Sequence, residues 1–147
     1  MGEGRQEERK ASGREATEAT SAMDGVAKAQ PDLLRAHKQQ KRAARVGFEW
    51  PDSVGPLEKL KEELAELDEA ETEEERLLEA GDVLFVAVNI VRRYGVDPEQ
   101  ALRASNAKFE RRFKVMEQLS KNEGEDFAAL DLDRQEEYWQ RAKRETG

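Results

Sequence analysis

A nine-residue stretch, Val83 to Val91, is apolar at every position except Asn89, and it follows directly on the acidic pair Glu79-x-x-Asp82. As a helix, this segment is apolar on nearly every face and needs cover almost all round. At about 100° per residue, Glu79 and Asp82 share one face, and Val86, Asn89 and Arg93 continue it. Two acids and an amide entering such a helix carry a desolvation cost unless each finds a partner. A cation and a polar ligand would supply those partners.

The rest of the chain reads as helices separated by glycine and proline. Pro31 and Asp32 open the first, with Leu33, Leu34, His37, Gln40 and Ala44 at helical spacing and Gly47 as its stop. Phe48, Trp50 and Pro51 form a short apolar hinge. Gly55-Pro56 starts a second helix carrying Leu57, Leu60, Leu64 and Leu67 at offsets of three and four. Thr72 to Glu75 marks a turn or a restart, and the third helix runs from about Glu75 to Tyr94, closed by Gly95. Asp97-Pro98 caps a fourth helix reaching about Leu119, with Leu102, Phe109, Phe113 and Met116 as its apolar stripe. A loop over Asn122 to Asp126 precedes a last helix holding Tyr138 and Trp139. No segment reads as a strand. The expected fold is all-α, a bundle of four to five helices completed by dimerisation that buries part of Val83 to Val91. Residues 1 to 22 contain no aromatic residue, Leu, Ile or Val and read as a disordered tail, with Met23 as an alternative start. Residues 23 to 147 are expected to form the one all-α domain.

A second acidic group, Glu62-Glu63-x-x-Glu66, lies on the second helix, with twelve residues separating it from Glu79. Glu63 flanks the leucine stripe, Glu66 lies one step further round, and Glu62 points nearly opposite. A glutamate-rich stretch is commonly no more than a solvated helix face. Here the Glu79-x-x-Asp82 pair enters an apolar helix, and the connection allows an antiparallel helix pair, so the two groups can meet. Converging carboxylates suit a hard divalent cation, which takes oxygen ligands. On the fourth helix Lys108 and Arg112 are four apart and share a face, and Trp139 and Lys143 have the same relation near the C-terminus. Such pairs can hold phosphates, and an aromatic ring can stack on a base.

Composition narrows the chemistry further. The net charge is -8, against general nucleic-acid binding. There is no cysteine for a disulfide or thiol mechanism, and the lone His37 excludes a histidine-rich zinc site. No stretch has transmembrane length, so a cytoplasmic protein is expected.

Taken together, Gly47-Phe48-Glu49-Trp50, Val54-Gly55-Pro56, Glu62-Glu63-x-x-Glu66, Glu79-x-x-Asp82-Val83-Leu84-Phe85 and Asn106-x-Lys108-Phe109-x-x-Arg112-Phe113 resemble the MazG-type nucleoside triphosphate pyrophosphohydrolases. The similarity runs over about residues 23 to 145 and is to the C-terminal catalytic half of two-domain members. It implies an all-α dimer that uses Mg²⁺, with Mn²⁺ able to substitute, and cleaves nucleoside triphosphates between the α- and β-phosphates. By position, Glu63, Glu66, Glu79 and Asp82 would be metal ligands, with Glu62 a ligand or water-orienting base. Lys108 and Arg112 would contact phosphates, with Trp139 and Lys143 as further substrate-binding residues; Asn89, from its place on the apolar helix, is a substrate-binding candidate of its own. The alternatives are a nucleotide-sensing or dimerisation module without turnover, and a narrow-range dUTP or dCTP pyrophosphatase.

Overall fold

The structure, a computed structural model, describes residues 21 to 147; the expected tail lies outside the described residues except for Ser21 and Ala22. Five α-helices and one 3-10 turn make up the described residues, with no strand among them. They are α1 (Asp32–Arg45), α2 (Val54–Glu69), α3 (Glu73–Arg93), α4 (Pro98–Asn122) and α5 (Leu132–Thr146), with the turn at Phe127–Ala129. The chain divides into two compact units, one ending at Glu99 and the other spanning Gln100–Gly147.

In the first unit, α3 packs against both α1 and α2. Ahead of α1, the buried Arg42 donates from Nη1 to the Asp24 carbonyl at 2.8 Å, which ties residues 21 to 26 to the helix. α1 ends in paired carbonyl caps: the Phe48 amide donates to Ala43 and the Gly47 amide to Ala44, both at 3.0 Å. This geometry needs a left-handed residue, and Gly47 provides it at φ +89°. The three-residue link Ala70 to Thr72 folds α3 back along α2. The ambiguous Thr72 to Glu75 segment is a helix start: Thr72 Oγ1 accepts from the Glu75 amide at 3.1 Å, and Glu75 Oε2 accepts from the Glu71 amide at 2.9 Å. Three glutamates in the first turn then complement the helix dipole.

The cover on α3 is one-sided within a single chain. Val88 is 3 % exposed, whereas Leu84 is 60 % and Phe85 45 % exposed. A helix apolar all round thus keeps an open flank among the described residues.

In the second unit, Met116, Tyr138 and Ala142 form the buried centre, with Phe113, Leu119, Phe127, Leu130 and Trp139 packed around them. Of the expected α4 stripe, Phe113 and Met116 join this core, while Leu102 and Phe109 stay about half exposed. α4 runs on to Asn122, beyond its expected end, and Gly124 closes it with the same cap as Gly47. That cap turns Glu123 and Glu125 towards Tyr138, whose hydroxyl lies 2.5 Å from a carboxylate oxygen of each. Asp131 caps α5, accepting from the Arg134 amide at 2.8 Å. No helix among the described residues is long and apolar enough to cross a membrane.

Candidate metal centre

The α2–α3 hairpin brings the two acidic groups together. Glu63, Glu79 and Asp82 each place a carboxylate oxygen within 4.8 Å of the other two. Their setting is graded: Glu63 is buried, Glu79 half-buried and Asp82 exposed. Helix periodicity explains this. Glu63 sits at the edge of the leucine stripe that α2 presents to α3, and Glu79 and Asp82 lie three apart at the start of the α3 face that meets it.

Glu66 belongs to the same cluster. Its carboxyl pKa is pushed up to about 7, first by a hydrogen bond with Glu79 and then by the negative charge of Glu63. Glu63 moves the other way, below the usual carboxylate range, because the Lys59 ammonium donates to it. Lys59 Nζ lies 2.9 Å from Glu63 Oε1, and its own pKa rises in return. The acids thus crowd one another, and the Lys59 ammonium offsets that repulsion at Glu63.

These residues fit a divalent cation. Glu63 Oε2 and Glu79 Oε2 are buried, and neither has a hydrogen-bond partner among the described residues. Buried carboxylate oxygens without a donor are costly. The donor set is all oxygen, the preference of Mg²⁺ and Ca²⁺.

The remaining expected residues fall in two groups. Glu62 faces away from the cluster as its helix position requires, with a 59 % exposed side chain 3.7 Å from Lys59. Asn89 lies further along α3, where its Oδ1 accepts from Arg92 Nη2 at 2.8 Å. Lys108, Arg112, Trp139 and Lys143 all lie in the second unit. There Arg112 Nε donates to Thr146 Oγ1 at 3.3 Å, and its guanidinium lies 5.7 Å from the Trp139 ring centre. Lys108 and Lys143 are exposed.

Two features of this region were missed from sequence. Lys59 stands four residues before Glu63 on the same helix face, a spacing that signals an ion pair. The second is a cavity of about 700 Å³ in the first unit, lined in part by Phe48, Trp50, Lys59, Phe85 and Asn89. Its walls come from α1, α2, α3 and the loop after α1, a meeting that no local pattern reveals.

Known proteins resemble the chain over much of its length. Residues 34–109 match the family model described as phosphoribosyl-ATP pyrophosphohydrolase. Over 113 residues the chain is 45 % identical to the nucleoside triphosphate pyrophosphohydrolase/pyrophosphatase MazG of Thermotoga maritima, covering 77 % of this chain and 44 % of that protein. It is 41 % identical over 135 residues to the nucleoside triphosphate pyrophosphohydrolase of Escherichia coli K12, covering 85 % of this chain and 49 % of that one. The chain belongs to the phosphoribosyl-ATP pyrophosphohydrolase family, as a MazG-type member. It spans about half the length of these curated relatives.

Proposed function

We propose that this protein hydrolyses nucleoside triphosphates to a nucleoside monophosphate and pyrophosphate, with Mg²⁺ held by Glu63, Glu66, Glu79 and Asp82. The observation that carries this reading is the convergence of Glu63, Glu79 and Asp82 within 4.8 Å, with two buried oxygens lacking any donor. The names of the Thermotoga and Escherichia relatives, both nucleoside triphosphate pyrophosphohydrolases, support it.

Water attacks the α-phosphorus in line, the bond from that phosphorus to the bridging oxygen breaks, and pyrophosphate leaves. A bound Mg²⁺ supplies charge neutralisation on the phosphates and lowers the pKa of a ligated water. Glu63 and Glu79 would hold the cation from the hairpin interior, and Asp82 would complete the cluster from its exposed edge. Glu66 would join them as a carboxylate, because a protonated carboxyl is the poorer ligand. Glu62 as a ligand or water-orienting base rests on the family pattern alone, since its side chain faces away from the cluster. Lys108 and Arg112 as phosphate contacts, and Trp139 and Lys143 as further substrate contacts, rest on the same pattern, and Asn89 as a substrate contact rests on its place in the apolar helix. A homodimer that covers the open flank at Leu84 and Phe85 is part of the same proposal, as is a cytoplasmic setting.

The test is pyrophosphate release from mixed nucleoside triphosphates with Mg²⁺, for the parent protein and for Glu63→Gln and Asp82→Asn. Loss of release by about a hundredfold or more in both variants, with helicity unchanged by circular dichroism, is the expected result. Near-parent turnover in both would refute the site. Metal binding without any pyrophosphate release by the parent protein would favour a non-hydrolytic nucleotide-binding module.

A further inference from the structure

We propose that residues 21 to 26 are a strap that closes one wall of the cavity beside the metal centre, with Arg42 as the positioning residue that latches it shut. This rests on the nucleotide reading above and adds a moving part to it.

The cavity of about 700 Å³ opens beside the acids, since Lys59 lines it and contacts Glu63 at 2.9 Å. Most of its walls are fixed. The loop after α1 is fastened to the end of α3: Glu49 Oε1 accepts from Arg92 Nη2 and, at 3.3 Å, from Arg93 Nη1, which also donates to the Trp50 carbonyl at 2.9 Å. α1 is fastened to α3 through Gln40, 7 % exposed, whose Nε2 donates to the Phe85 carbonyl at 2.9 Å. The other half of that amide, Oε1, is buried and has no hydrogen-bond partner among the described residues.

Met23 joins the lining from a different kind of element. Residues 21 to 26 precede α1 and belong to no helix. They are knotted by their own turns. The Ser21 amide donates to Asp24 Oδ2 at 3.0 Å and the Met23 amide to Ser21 Oγ at 3.1 Å. The Asp24 and Val26 amides donate to the Ser21 and Met23 carbonyls at 3.1 and 3.2 Å. Such a knot keeps its shape and moves as one body. Ala27, Lys28 and Ala29, all exposed, join it to the start of α1.

Arg42 holds this body on the helix. Its side chain is buried, and Nη1 donates to the Asp24 carbonyl at 2.8 Å. Gly25 makes the room: its φ is +90°, and a Cβ there would fall 3.2 Å from Arg42 Nη2. On α1 Arg42 stands next to Gln39, Gln40 and Ala43, which line the cavity, so the latch is one helix step from the wall it completes. A hydrogen bond from a charged donor is a strong one. The rest of the strap's hold is weak, because its apolar residues, Ala22, Met23 and Val26, are none of them buried. Segments with few buried apolar contacts open ahead of packed helices. The strap is therefore the wall that swings to admit a nucleotide, and Met23, flexible and unbranched, is the side chain that closes beside it.

The experiment combines kinetics with hydrogen exchange on the full chain. Arg42→Ala is expected to raise KM for ATP about tenfold, as if about a tenth of the molecules kept the strap shut, with kcat within about twofold. Arg42→Lys recovers part of the loss, because an ammonium can still donate to the Asp24 carbonyl. Gly25→Ala sets a methyl against the guanidinium, and Met23→Ala thins the wall; both raise KM in the same sense. Neither touches a helix, so they carry the test if Arg42→Ala fails to fold. With Mg²⁺ and the ATP analogue bridged by methylene between the α- and β-phosphates, amide exchange over residues 21 to 30 slows in the parent protein, and Gly25→Ala weakens that slowing. An unchanged KM in both Gly25→Ala and Met23→Ala overturns the proposal. So does an analogue that slows exchange over residues 79 to 89 and leaves 21 to 30 as before. Should the parent release no pyrophosphate, the hydrolytic reading falls while the exchange pattern still decides the strap. An analogue that slows exchange nowhere sinks the nucleotide reading and the strap with it.

Discussion

Met116→Ala probes the second unit at its centre. Met116 is 5 % exposed and packs with Tyr138 and Ala142, with Phe113 and Leu119 close around them. The substitution deletes Cγ, Sδ and Cε. At about 0.8 kcal/mol per methylene equivalent, three buried heavy atoms represent about 2.4 kcal/mol of transfer free energy. The void they leave adds to this, because aromatic neighbours anchored on two helices cannot close it completely. A total of about 3 kcal/mol follows, inside the range measured for such truncations. For a described chain between the small and medium size classes, about 4 °C per kcal/mol converts this to a fall of about 12 °C in Tm. Thermal unfolding followed by circular dichroism and by calorimetry measures it. Leu132→Ala is the control: Leu132 is 76 % exposed, so its loss should move Tm by about 2 °C or less. If Met116→Ala lowers Tm by less than about 4 °C while Leu132→Ala matches it, the cluster around Tyr138 is not the core of this unit.

Other outcomes follow from single contacts. Thr72→Ala removes the side-chain cap on α3 and should cost about 1 kcal/mol, read as a fall of about 4 °C in Tm. Millimolar Mg²⁺ should raise Tm by relieving the repulsion among Glu63, Glu79 and Asp82, and Glu63→Gln should shrink that rise; an equal rise in the variant would mean the cation binds elsewhere. Chelation with EDTA should stop pyrophosphate release and leave far-ultraviolet circular dichroism unchanged, since the helices rest on packing rather than on the cation. Acid should weaken the second unit through Glu123 and Glu125. Glu123 is held below the ordinary carboxylate pKa first by the Tyr138 hydroxyl, and Glu125 first by Arg134. A lowered folded-state pKa contributes stability above the unfolded carboxylate value and loses it as pH falls through the folded one. Tm should therefore hold near neutrality and fall below the ordinary carboxylate range, more shallowly in Glu125→Gln; identical slopes would contradict the assignment.

The elements were readable because each has a local chemical cause. Asp97-Pro98 predicted the start of α4, and Asp97 Oδ1 does accept from the Glu99 amide at 2.8 Å. Gly47 and Gly95 predicted helix ends and take positive φ there. The acidic cluster was readable for a similar reason, since offsets of three on two consecutive helices fix which carboxylates face a shared seam. Glu62 was separated from Glu63 by the same argument, and the 59 % exposure of its side chain against the 5 % of Glu63 follows from one step of 100°. The α4 stripe was only half right, because periodicity states which residues share a face and not how far along the helix a partner extends. α5 covers Phe113 and Met116, while at Phe109 it offers only the Trp139 ring, 5.9 Å away between centres, and leaves that side chain more than half exposed.

The cavity of the first unit was hidden for a deeper reason. Its lining is drawn from Met23 to Arg92, from segments whose encounter depends on how α1 crosses α3. Seen in sequence, Phe48 and Trp50 are a hinge, Gln40 is one polar position on an amphipathic helix, and Arg92 and Arg93 are cations at a helix C-terminus. Each has a sufficient local explanation, so nothing marks it as unusual. Only the assembled hairpin and α1 turn the hinge into a wall and leave the Gln40 oxygen without a donor. The acids could be found from sequence because their placement is costly in any helical fold, and a cost can be read before the partner is known. The chamber's residues become costly only after folding, when Glu49 must face two arginines and a carbonyl has claimed one half of the Gln40 amide. In this protein the acidic cluster is therefore written in helical period, and the cavity in tertiary geometry.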